Sequence, residues 1–203
     1  MTPRAAPMAP DERRQAIVEA VIPLLVSHGA GVTTRQIAEA AGVAEGTIFR
    51  VFADKSALLH AAAHATMDPV RGREALAAVD PDLDLHGMVH AVAEQMLASL
   101  QQVIAVLIAV RGALVSQEVH EPKGQQGPPE FVLEANRALL EGLTELFARY
   151  SDDLAVAPDR AALLLRALVF GSRHPGTNEA HTLTAEEIAT VLVSGITGTG
   201  SEG

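Results

Sequence analysis

Between positions 43 and 58 the chain reads VAEGTIFRVFADKSAL, which places Thr47, Arg50 and Lys55 around Phe49 and Phe52. A hydroxyl, a guanidinium and an ammonium on one short segment could be a solvated helix face. They could equally be a surface made to touch phosphate. Lys and Thr suit contacts to a polyanion's backbone, whereas Arg can read guanine bidentately. The rest of the chain has to decide between these readings.

Other chemistry-bearing residues are sparse. His60 and His64 are four apart, as are His86 and His90, a spacing that sets two imidazoles on one helix face where a transition metal could bridge them. No third His or carboxylate lies close by in sequence and no H-E-x-x-H motif occurs, so exposed or pocket-lining histidines are the better reading. No metal and no cofactor are expected. The phosphate loop G-x-x-x-x-G-K and the nucleophile elbow G-x-S-x-G are both missing, and nothing resembles a catalytic constellation, so the chain does not read as an enzyme. Arg111 follows the apolar run VIAVLIAV at 103–110. In a helical pocket it could pair with a ligand carboxylate, and otherwise it snorkels to the surface. Met67, Met88 and Met96 suit an adaptable cavity or an ordinary core.

The elements that must position these residues are helical. The chain has 203 residues, 48% of them hydrophobic, 20% charged and only 3% aromatic, so Ala, Leu and Val do the packing. With no cysteine there is no disulfide, thiolate metal site or thiol sensor. The N-terminus has no signal-like apolar core and the run at 103–110 is too short for a bilayer, so the expectation is a soluble cytoplasmic protein with no membrane partner. The net charge of −10 is uneven. Residues 1–60 carry six basic and six acidic side chains and balance to zero, so the whole deficit lies beyond them. An acidic chain can still bind nucleic acid through a locally neutral or basic face, because salt screens remote charge.

Pro10, Asp11 and Glu12 make a good helix start, and Ile17, Val21, Leu24 and Leu25 form its apolar stripe up to Gly29. Pro23 predicts a kink or a loosened last turn. Thr33 and Gln36 match a capping box that opens a helix ending at Gly42. A third short helix spans about 44–52, and a fourth starts at Asp54. Residues 68–87 read as a linker containing a short helix, 88–117 as helix in two or three pieces, and EPKGQQGPP as a loop. Further helices are expected at 130–150, at 159–171 and in TAEEIATVLVSGI. No strand pattern survives, so the fold class is all-α.

A short helix, a turn at Gly42-Val43 and a second short helix make a helix-turn-helix, in which the second helix enters the major groove. Ile37, Val43, Ile48 and Phe52 would hold the pair together, leaving Glu45, Gly46, Thr47, Phe49 and Arg50 outward. The stretch TTRQIAEAAGVAEGTIFRVFADKSALL resembles the DNA-binding domain of the tetracycline-repressor (TetR) family. Thr34, Ile37, Ala38, Ala41, Gly42, Val43, Gly46, Thr47, Ile48, Phe49, Phe52, Lys55 and Leu58 fall in step with that pattern. The resemblance covers about residues 11–60. Ala44 stands where many members have a capping serine, Phe49 where tyrosine is commoner, and Val51 where His or Tyr is frequent.

The resemblance implies a homodimer whose paired recognition helices bind a palindromic operator in double-stranded DNA. Thr34, Thr47 and Lys55 would contact phosphates, with Arg35, Ala44, Glu45, Gly46, Phe49 and Arg50 at or near the groove. The expected division is a tail at 1–10, DNA binding at 11–60, ligand binding and dimerisation at 61–197, and a tail at 198–203. A dimer interface is expected at Leu139, Leu143, Leu146, Leu164 and Leu168. A pocket for a small hydrophobic inducer is expected between helices 85–117 and 130–171, lined by Met88, Val92, Met96, Leu100, Leu107 and Phe170, with Arg111 beside it. The function expected is that of a repressor released from its operator by that ligand. A non-catalytic helical carrier or bundle enzyme is the alternative, against which the missing catalytic constellation argues, and a dimerisation adaptor is a third reading, which would not need Arg50 and Lys55.

Overall fold

A computed structural model describes residues 9–116, 128–173 and 182–197. The expected terminal tails, except Ala9 and Pro10, and most of the EPKGQQGPP loop lie outside them. Among the described residues the regular elements are all helices and there is no strand, so the chain is all-α. Two compact units are present, one of residues 1–67 and 101–125, the other of residues 68–100 and 126–203.

In the first unit, helix α1 (Pro10–His28) begins on its proline, and the Glu12 carboxylate accepts from the Ala9 N–H at 3.0 Å. It continues through Pro23 as far as His28, and the Ser27 hydroxyl donates to the Pro23 carbonyl at 2.9 Å. A 3-10 turn at Gly29–Gly31 follows, entered through Gly29 at φ 56° and ψ −145°, a conformation essentially closed to residues with a Cβ. Helix α2 (Thr34–Ala40) carries the capping box that the sequence predicts: Thr33 Oγ1 accepts from Gln36 N and Gln36 Oε1 accepts from Thr33 N, at 3.2 and 2.8 Å. Helix α3 (Glu45–Val51) starts without a side-chain cap because Ala44 has none to offer. Asp54 caps helix α4 (Lys55–Thr66) through the Ala57 N–H at 2.7 Å. Ile17, Val21 and Leu25 of α1, Ile37 of α2, Ile48 of α3, Phe52, and Leu58 and Leu59 of α4 are the buried core, α1 packing on each of the other three helices.

The second unit opens with helix α5 (Pro69–Ala77), capped by Asp68. Helix α6 (Leu85–Ser116) starts here, the Gly87 N–H donating to Asp84 Oδ1 at 2.7 Å, and its part from residue 101 on counts with the first unit. It is one uninterrupted helix rather than two or three pieces, since no proline falls within it. Within Leu85–Gly112 an 18-residue stretch reaches a mean hydropathy of 1.5, enough by length and composition to cross a membrane although the longest unbroken run is short. A core helix passes the same test. Within the second unit Met88, Val89, Val92 and Ala93 are fully buried, whereas Leu107 and Ile108 further along the helix are exposed.

Helix α7 (Glu130–Ala148) packs against α5 on one side and against helix α8 (Pro158–Ser172) on the other. Helix α9 (Ala185–Ile196), opened by a Thr184–Glu187 capping box, packs on α8. Phe147, Leu143, Leu165, Val169, Ile188 and Leu192 fill the interior. The segment before α6 is pinned to the end of α7: Arg149 donates to the Pro81 carbonyl and the Tyr150 hydroxyl to the Leu83 carbonyl, both at 2.6 Å.

Candidate nucleic-acid interface

The turn between α2 and α3 is built around Gly42, at φ +64°. Its N–H donates to the Glu39 carbonyl at 3.2 Å and the Val43 N–H donates to the Ala38 carbonyl at 2.9 Å. Those two bonds are the pair that closes a helix end through a left-handed residue, where glycine avoids the Cβ penalty. The turn therefore sets the direction in which α3 leaves. Below it Ile37, Ile48 and Phe52 are buried and Val43 is half-buried, which leaves the opposite side of α3 in solvent. Ala44, Glu45, Gly46 and Arg50 are exposed, Thr47 is half-buried, and Phe49 is 53% exposed. An aromatic ring with half its surface in water, on a helix whose other face is sealed, is only partly packed among the described residues.

Two bonds bracing α3 are not visible from sequence spacing. Arg14 of α1 lies over the Phe52 ring, 4.4 Å from its centroid, and donates to the Val51 carbonyl at 3.4 Å, so it holds the C-terminal end of α3. At the other end the Thr34 hydroxyl donates to Glu45 Oε1 at 2.6 Å, tying the first residue of α2 to the first residue of α3. Between α1 and α3 lies an open depression of about 640 Å³, with Arg13, Arg14 and Arg50 against one carboxylate, Asp11, on its walls. The basic pair Arg13-Arg14 was legible as residues, but only the fold sets it beside Arg50.

Of the residues the sequence nominates for DNA, Arg35 is exposed on α2 and Lys55 is half-buried at the first turn of α4. Thr34 is half-buried, and its hydroxyl differs from expectation. A hydroxyl has one proton to give, and this one is given to Glu45.

The residues nominated elsewhere divide. Met88, Val92, Met96 and Leu100 of α6 are buried. Leu107 and Arg111 belong to the other unit and are exposed, and Phe170 is 43% exposed on α8. The expected lining is thus not one set of inward side chains, because α6 extends beyond the second unit and Phe170 sits on the outward face of its helix. Among the described residues of the second unit, Arg166 and Arg173 are both half-buried with a buried Nε that has no acceptor, and Arg166 also donates to Asn136 Oδ1 at 3.3 Å.

Leu143 and Leu146, expected at an interface, are already buried in their own unit by the side of α7 that faces its neighbours. Leu139 and Leu168 are half-buried. Leu164 is exposed, and Leu163 and Phe170 share its face of α8. His86 and His90 approach a third group after all, Glu186 of α9, at 3.6 and 3.9 Å from its two oxygens. Among the described residues no three such groups are arranged to hold a metal ion.

The chain is therefore an all-helical protein with an N-terminal helix-turn-helix unit. Residues 17–62 match the family model of bacterial regulatory proteins, tetR family. That match covers the helix-turn-helix unit, and the chain as a whole is similar in fold to solved regulators of this family. Solved structures with the same fold include a TetR transcriptional regulator from Streptomyces coelicolor, 18% identical, TM-score 0.62, covering 92% of this chain and 99% of that one. Another is the complex of SmeT with triclosan, at 17%, TM-score 0.56 and 93% of both chains; SmeT is the repressor of a multidrug efflux pump of Stenotrophomonas maltophilia. A third is AibR with isovaleryl coenzyme A and operator DNA, at 21%, TM-score 0.50, covering 92% and 98%.

Proposed function

We propose that this protein is a cytoplasmic homodimeric repressor that binds a palindromic operator through α3 and is released by a small, mainly apolar molecule. The observation that carries the reading is the exposed side of α3. It presents Glu45, Gly46, Phe49 and Arg50 to solvent while its other side is buried and both its ends are braced. A rigid helix with a guanidinium and a half-exposed ring outward suits base-edge reading, with Arg35 near the groove and Thr47 and Lys55 suited to backbone contacts.

The second unit supports a regulatory role. The outward stripe of α8, with Leu163, Leu164 and Phe170 exposed by 37, 39 and 43%, is an apolar surface that a second copy would cover. Buried Met88, Val92, Met96 and Leu100 offer aliphatic, deformable walls for a ligand. Arg166 and Arg173, rather than Arg111, are the cations suited to a single anionic group. SmeT with triclosan and AibR with isovaleryl coenzyme A are regulators of this fold holding small molecules. Release would be a coupling free energy: the ligand favours a spacing of the recognition helices that no longer fits the operator.

The test is an operator selected from random duplexes. Arg50→Ala should weaken specific binding by ~1–3 kcal/mol, and Lys55→Ala should weaken all sequences alike and flatten the salt dependence by ~1. If neither change alters binding, α3 is not the reading surface.

A further inference from the structure

On the reading just proposed rests a sharper one, which concerns an anomaly in it. A surface meant for a polyanion carries a carboxylate at its head: Glu45 is the first residue of α3 and, like Arg50, is exposed. It is the only acidic residue in that helix. A carboxylate offers acceptors alone, and phosphate oxygens offer acceptors alone, so Glu45 has nothing to gain from the DNA backbone. In the major groove the hydrogen-bond donors are the exocyclic amino groups of cytosine and adenine; guanine and thymine present acceptors there.

The Thr34 hydroxyl decides how this carboxylate is held. It donates to Glu45 Oε1 at 2.6 Å from the start of the neighbouring helix, across the turn that Gly42 shapes. The bond uses the threonine's proton and one carboxylate oxygen, leaving Oε2 free to accept. An exposed Glu otherwise samples many rotamers, and fixing it beforehand removes that ordering cost from binding. We infer that Glu45 is a specificity-determining residue, reading a base amino group, cytosine N4 foremost, and that Thr34 is its positioning residue rather than a phosphate contact. The carboxylate also works against other sites. Facing guanine O6 or thymine O4 it meets acceptor with acceptor, and on unrelated duplex it repels phosphate, so it suppresses sequence-independent binding.

Selection of duplexes from a random library with the full-length protein and its Glu45→Ala, Glu45→Gln and Thr34→Val variants tests this. Glu45 is exposed and Thr34 half-buried, so the fold is retained in all three variants. The wild type should require cytosine at one position of each half-site, roughly tenfold over guanine or thymine. Glu45→Ala should lose that one preference, keep the others and bind unrelated duplex more tightly. Glu45→Gln should move the preference to adenine, whose N6 and N7 match an amide. Thr34→Val should weaken the cytosine preference without lowering affinity for unrelated duplex; an equal loss of affinity on every sequence, with the cytosine preference kept, would return Thr34 to the phosphates and overturn its positioning role. Unchanged base preferences in both Glu45 variants would overturn the inference with the DNA-binding function intact. A wild-type protein that enriches no sequence would instead overturn the function on which the inference rests.

Discussion

Helices α5 and α7 meet at Gly142, where an added Cβ would stand 2.7 Å from Leu76 Cδ1. Carbon atoms in good contact sit about 3.5–4.0 Å apart, so Gly142→Ala falls short by roughly 1 Å. Leu76 is only 5% exposed and cannot simply swing into water. Overpacking of this kind costs about 1–3 kcal/mol, against which replacing a mid-helix glycine by alanine returns about 1 kcal/mol of helix propensity. The net expectation is a loss of up to about 2 kcal/mol. Leu76→Ala alone should cost about 2–5 kcal/mol, as leucine truncations in cores do. Combining the two is the decisive measurement. Once Leu76 is truncated the methyl has room, so Gly142→Ala should become neutral or stabilising, by up to about 1 kcal/mol, because only the propensity gain is left. The sign change is read as the shift in urea midpoint at constant slope and fixed protein concentration. Should Gly142→Ala shift the midpoint equally in both backgrounds, the close approach of Leu76 is not what requires a glycine there.

Gly46 contrasts with Gly142, having nothing within 4 Å of its would-be Cβ. Gly46→Ala should therefore stabilise the free protein by about 0.5–1 kcal/mol and weaken operator binding, since the methyl points where a duplex would approach; a higher melting temperature with unchanged affinity would show that no DNA comes near. Gly42→Ala should instead destabilise by about 1–2 kcal/mol, because φ is +64° there. Leu163→Glu with Leu164→Glu should produce monomers in sedimentation velocity, since burying unpaired carboxylates in an interface costs several kcal/mol, and an unaltered dimer would place the interface elsewhere. At α9 the Thr184 backbone N–H and hydroxyl donate to Glu187 at 2.8 and 2.9 Å and hold its carboxyl below the usual range. The lowered value means this contribution is present above the ordinary carboxyl range and fades as the pH falls through the lowered one. Glu187→Gln should flatten that part of an acid-unfolding profile, and superimposable wild-type and variant profiles would refute the cap's role.

Local signals in the sequence carried much of the architecture. Thr33 with Gln36, Asp54 three residues before Ala57, and Gly42 each act within a few positions of themselves, so spacing alone identifies the caps and the turn. The alternation of buried Ile37 and Ile48 with exposed Phe49 and Arg50 follows from helical period, and so did the outward face of α3. What spacing cannot reach is pairing between elements. Nothing in the order of residues sets Arg14 over Phe52, Glu186 beside His86, or Leu76 against Gly142, since each depends on which faces two helices turn to one another. The same limit applies to Leu143 and Leu146, expected at an interface and buried within their own unit. An apolar stripe is visible in sequence, but whether its own unit or a second copy covers it is settled by packing. Thr34 shows the finest case. Its residue type suggested a hydroxyl for phosphate, and only the tertiary structure, by bringing Glu45 within 2.6 Å, decided where its one proton goes.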